Sequence, residues 1–141
     1  MSMPTFLTYE KPLLTCMVQA DNPARLRELI TLARPEGAEA FGMQLCRMKA
    51  EYRNRETYRS LFEFAAPQPV YVTNYRGADN KGKSDEVLGE ELTELAACGA
   101  TLCDVMGDYY ARTEGELTMD GAAIEKQRAL IESLHAKGAE V

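Results

Sequence analysis

Short, continuously apolar runs alternate along the chain with longer segments whose apolar residues recur every three or four positions. The runs cover residues 13–18, 40–45, 70–74 and 101–106, each bounded by polar or turn-forming residues. Such compact runs suit parallel strands covered on both faces. The intervening segments carry helix signals. Asn22-Pro23 supplies an N-cap and a proline at the first helical position, ahead of Leu26, Leu29, Ile30 and Ala33. Asn54 caps a second helix carrying Tyr58, Leu61, Phe62 and Ala65. Ser84 caps a third, with Asp85 and Glu86 placed to meet the helix dipole, and Asp120 caps a fourth carrying Ile124, Leu130, Ile131 and Leu134.

The punctuation repeats. Gly37-Ala38, Gly99-Ala100 and Gly138-Ala139 each close a helical segment and open an apolar one. Glycine tolerates the left-handed conformation at a helix C-terminus, so the placement has a physical cause. Strand starts fall about 27 to 38 residues apart, the size of successive βαβ units. The fold class is therefore α/β. The sequence predicts four βα units and the opening of a fifth strand at Glu140-Val141. An eight-unit barrel needs roughly 250 residues, so residues 1–141 are expected to form the N-terminal half of one partial TIM-type (βα)8 barrel domain. The inner face of such a half-barrel is open, and a second copy or another chain could cover it.

Composition narrows the function. Sixteen Lys and Arg against 22 Asp and Glu give a net charge of −6, which argues against nucleic acid as a partner. No long apolar run predicts a membrane span, and no secretory signal pattern opens the chain, so a cytoplasmic protein is expected. Cys16, Cys46, Cys98 and Cys103 include no C-x-x-C pair, and the only histidine is His135. They are expected to be free thiols in a reducing compartment, with no metal site. Met43, Met48 and Met106 are expected to fill the barrel.

In parallel barrels the chemistry gathers where strands end and helices begin. Those positions hold Gln44, Cys46 and Arg47 after strand two, Asn74, Tyr75, Arg76, Asn80, Lys81 and Lys83 after strand three, and Asp104, Gly107, Asp108 and Tyr109 after strand four. Cations concentrate there although the chain is acidic, which suggests a small anionic ligand. The pair Asp104 and Asp108 could serve acid–base chemistry, or one of them could brace a loop or pair with a cation. His135, on the outer helix, reads as structural or solvated. Residues 77–84 match the phosphate-loop pattern G-x-x-x-x-G-K-[ST] between a strand and a helix, which offers a nucleotide-binding alternative through Lys83 and Ser84. Asp79 within it would oppose phosphate, and two βα units precede it.

Residues 12–15, 37–47, 69–76 and 97–108, with the tail 125–141, resemble in order the first half of type I 3-dehydroquinate dehydratase, the Schiff-base lyase of the shikimate pathway and aromatic amino acid biosynthesis. The resemblance implies dehydration of 3-dehydroquinate to 3-dehydroshikimate without metal or organic cofactor, by an imine-forming lysine and a proton-moving histidine. It places both on later strands, after Val141, so no catalytic residue is expected here and the chain alone is expected to be inactive. Arg76 is the counterpart of the family's substrate-binding arginine at the end of strand three. Where the family has Glu-x-Arg on strand two, this chain has Gly42-Met43-Gln44, making Gln44 a second candidate for binding the substrate, a polyhydroxy carboxylate. The family's strand-four acid aligns with Met106, and Asp104 matches a preceding aspartate.

Overall fold

The computed structural model describes residues 5–141. Four strands, β1 (Thr15–Val18), β2 (Ala40–Gln44), β3 (Val70–Thr73) and β4 (Leu102–Cys103), form one parallel sheet in the order β1-β2-β3-β4. Between and after them run α1 (Pro23–Ala33), α2 (Arg55–Ala65), α3 (Asp85–Ala97) and α4 (Gly121–Ala136). Consecutive strand order with crossovers of one hand puts every helix on the same face of the sheet. Accordingly α1 lies against α2, α2 against α3, and α3 against α4. The chain is α/β, with strands and helices alternating as its periodicity predicts.

All four predicted N-caps form. Asn22, Asn54, Ser84 and Asp120 accept from the backbone N–H groups of Arg25, Thr57, Val87 and Ala123. Each satisfies one of the donors that a helix start leaves without a partner. Gly99 and Gly138 take positive φ two residues after α3 and α4, and Gly37 does so four residues after α1.

Strand alternation sorts the side chains. Val18, Met43, Val72 and Cys103 occupy one row of the sheet and are all buried toward the helices. They pack with Leu26, Ile30, Leu61, Leu92 and Leu95 in the main core. Burial there pushes the Cys103 thiol up to about 12. Met43 and Met48 therefore fill the layer between sheet and helices rather than a barrel interior. All four cysteines are free thiols, and His135 is exposed on α4.

The next row, Met17, Gly42, Tyr71 and Leu102, lies on the face without helices. Gly42 leaves room there for its neighbours, since a Cβ would stand 2.1 Å from Met17 Sδ and 3.2 Å from the Tyr71 ring and the methionine would have to move. The Phe6 ring meets Tyr71 edge-on at 6.4 Å, and Glu140 accepts from the Thr5 hydroxyl and the Leu7 N–H. The N-terminal turn thus covers one end of this face. Along the free edge of β1, Leu14 and Met17 are 61% and 42% exposed.

β4 is shorter than the predicted 101–106. Beyond it only Glu140 pairs with Leu102, and after Asp104 the chain turns away from the ladder. Met106 O accepts from Tyr109 N, and Gly107 O accepts from Thr118 N. Gly107 permits this fold-back, since a Cβ there would meet Glu116 O at 2.9 Å. No described helix is long and apolar enough to cross a membrane.

Replacing Asn54 with Ala should lower unfolding free energy by about 1 kcal/mol, measured by urea denaturation. A stability equal to wild type would show that the α2 cap contributes nothing.

Candidate functional site

Extending the sheet register by one step builds a polar layer above the apolar row. Gln44 pairs with Thr73, and Asp104 follows Cys103, the partner of Val72, with its N–H donating to Val72 O at 3.0 Å. Gln19 follows Val18, the partner of Met43, and is exposed. Gln19, Gln44, Thr73 and Asp104 thus line the C-terminal ends of four parallel strands, on the face without helices. The layer holds three neutral polar side chains and one carboxylate, a set suited to hydroxyl groups and carbonyls.

Asp104 is its focal group. The Tyr71 hydroxyl donates to Asp104 Oδ2 at 3.0 Å, and the Tyr75 hydroxyl donates to the same oxygen. Burial, followed by the hydrogen bond to Tyr75 and the charge of Asp104, raises the Tyr71 phenol well above its ordinary value. Burial, then the hydrogen bond to Asp104, raises the Tyr75 phenol as well. Both phenols therefore remain neutral donors at physiological pH.

Arg76 sits beside this layer and lines a groove of about 840 Å³ together with Tyr75, Asp104, Met106, Asp108 and Arg112. Its guanidinium is already engaged. It donates through Nε and Nη2 to Asp85 at 2.8 and 2.7 Å, and through Nη1 to Asp108 at 2.9 Å. Asp85 also accepts from Tyr110 N, and Asp108 from Thr113 N. Arg76 therefore clasps the start of α3 to the loop after β4. The Arg76 hydrogen bond holds the Asp85 carboxyl below its usual range, against desolvation. For Asp108, burial opposes ionisation, but the Thr113 N–H and Arg76 together outweigh it and lower the carboxyl. Of the two aspartates singled out after β4, Asp108 braces a loop and pairs with a cation, while Asp104 faces the open side.

The remaining strand-end residues divide by side. Asn74 points toward the helices and donates to Leu88 O and Glu91. Tyr109 is buried, with its hydroxyl donating to Asn74 O. Asn80 is buried and donates to Asn74 Oδ1 and Tyr75 O, both at 2.7 Å, while Arg53 donates to Asn80 Oδ1. Cys46 is buried. Arg47, Lys81 and Arg112 are exposed and form no ion pair with a described residue.

The phosphate-loop match has another use in this fold. Lys83 pairs with Glu91, and Ser84 Oγ accepts from Val87 N. The loop between them and Gly77 contains a single 3-10 turn, Ala78–Asn80. Its lysine and serine are thus engaged within the protein.

Among the described residues no group of three or more His, Cys, Asp or Glu side chains could hold a metal ion. Gln19 and Thr73 belong to no motif; their only sequence signal is two-residue alternation from Met17 and Tyr71. No protein-family model and no curated protein matches the chain.

The depressed carboxyls set an acid-side dependence. Their stabilisation is present above the unfolded aspartate value, about pH 4, and is lost as pH falls through the folded values. Asp108→Asn should cost about 2 kcal/mol at neutral pH and should flatten the fall in thermal midpoint below about pH 4. Circular-dichroism melts between neutral and acid pH check this; parallel curves for variant and wild type would contradict it.

Proposed function

We propose that this chain carries the substrate-binding half of a lyase resembling type I 3-dehydroquinate dehydratase, with a hydroxylated alicyclic carboxylate as ligand. The observation that carries the reading is the row Gln19, Gln44, Thr73 and Asp104 at the C-terminal ends of a singly wound parallel sheet. That end of a parallel barrel is where active sites are built. The reading takes the sheet as half of a (βα)8 barrel whose further strands would pair alongside β1 and Glu140.

The ligand class follows from the donors and acceptors. Asp104 accepts from ligand hydroxyls, and Gln44 can accept from one group and donate to another. Gln44 orients but does not neutralise a carboxylate. Arg76 lines the groove but divides its charge between Asp85 and Asp108. In this reading it aligns the groove wall, its charge balanced by the two carboxylates. Arg112, exposed on the same groove, forms no ion pair with a described residue. Arg112 contributes through charge rather than through a preformed bidentate clamp.

The chemistry of elimination needs an amine nucleophile and a proton carrier. Neither stands on the polar layer: His135 is exposed on α4, Lys81 is exposed on a loop, and Lys83 pairs with Glu91. The reading therefore assigns the imine-forming lysine and the histidine to strands that this sequence does not contain. The chain binds without catalysing.

Titration calorimetry of the chain with quinate should show weak binding that falls about tenfold in Asp104→Asn, the size of one lost charged hydrogen bond. Mass spectrometry after borohydride treatment with 3-dehydroquinate should show no lysine adduct. Absence of any quinate binding would sink the reading, as would turnover or an adduct formed by these 141 residues alone.

A further inference from the structure

One buried polar atom on the open face has no partner. Thr73 is 1% exposed, and its Oγ1 meets no donor or acceptor among the described residues. Buried hydroxyls nearly always find a hydrogen bond, so an unpaired one calls for a physical account. Its surroundings supply that account. Alternation along β3 puts Tyr71, Thr73 and Tyr75 on one face, while Asn74 points the other way into α3. Tyr71 and Tyr75 both end on Asp104 Oδ2. Two phenols that start on either side of Thr73 thus converge on the carboxylate beside it.

We propose that Tyr75 is a displaceable cover, and that Thr73 and Asp104 beneath it form a subsite for a ligand hydroxyl group. This deepens the hydroxy-acid reading above and rests on it. The ligand hydroxyl donates to Asp104 Oδ2, where the Tyr75 hydroxyl now sits, and accepts from the Thr73 hydroxyl. Neighbouring strands lie about 4.8 Å apart, and an oxygen with two hydrogen bonds of about 2.8 Å reaches across that spacing. The exchange conserves bonding at Asp104, because Tyr71 stays in place while one hydroxyl replaces another. It also gives Thr73 the partner it lacks.

The geometry favours movement of the Tyr75 side chain alone. Its carbonyl is held by Asn80 Nδ2 at 2.7 Å, which fixes the backbone. Its ring is only partly buried and borders the open groove shared with Arg112, so a rotated ring has space to occupy. Tyr71, by contrast, is packed against Phe6 and lies over Gly42. Of the two phenols, Tyr75 is the one free to leave.

Calorimetry of the full chain with quinate, and with the neutral polyol inositol, tests this. Thr73→Val should weaken quinate binding roughly tenfold, the size of one hydrogen bond, with a thermal midpoint equal to wild type or higher. Thr73→Ser should restore binding. Tyr75→Phe, which removes the competing hydroxyl, should bind quinate at least as tightly as wild type. Wild-type affinity in Thr73→Val would overturn the subsite, and loss of binding in Tyr75→Phe would make Tyr75 a direct ligand and overturn the cover. Thr73-dependent inositol binding without preference for quinate would keep the subsite and remove the hydroxy-acid reading. No binding of either probe by the wild type would remove both.

Discussion

The register between β2, β3 and β4 fixes which side chains can meet on the open face. Side chains alternate with a period of two, so a slip of one residue would exchange the two faces of the sheet. In the register observed, Val18, Met43, Val72 and Cys103 meet the helices, while Gln44, Thr73 and Asp104 stand together on the other side. The apolar row favours this register, because a slip of one residue would take its core side chains away from the helices, and in one direction would turn Gln44, Thr73 or Asp104 toward them. The polar layer needs no affinity of its own to assemble.

Around that layer the charged residues largely serve the fold. Arg76 joins the start of α3 to the loop after β4, through two carboxylates whose ionisation it supports. Arg53 and Lys83 converge on Glu91, and Asn80 ties the same region to Asn74 and Tyr75. These contacts hold the loops beyond β3 and β4, which would otherwise have little packing to restrain them. They also remove cations from the ligand's reach. The functional weight then falls on neutral polar groups and on one carboxylate, a combination that selects hydroxyls before charge.

Much of the fold was legible because its signals are local. A cap needs one side chain and a backbone donor three residues away, so Asn22, Asn54, Ser84 and Asp120 could be read directly. The glycines closing helices required only their own backbone freedom. The site was legible as a location but not as an arrangement. Arg76 was expected to face a ligand, yet Asp85 and Asp108, nine and 32 residues away, engage it. Lys83 fits a phosphate pattern in sequence and meets Glu91 in space. Thr73 and Gln19 carry no charge and match no motif, so only the strand register brings them to notice. β4 looked longer than it is because Val105 and Met106 continue its apolar character, while the turn that ends it depends on Gly107 meeting a distant part of the same loop.

The most direct test of the account is amide chemical-shift mapping of the wild-type chain during titration with quinate. Perturbations should gather at Gln19, Gln44, residues 73–76 and residues 104–106, with the helical layer unchanged. Perturbations centred on residues 77–84, or spread over the outer surfaces of α1 to α4, would contradict it and place the ligand elsewhere on the molecule.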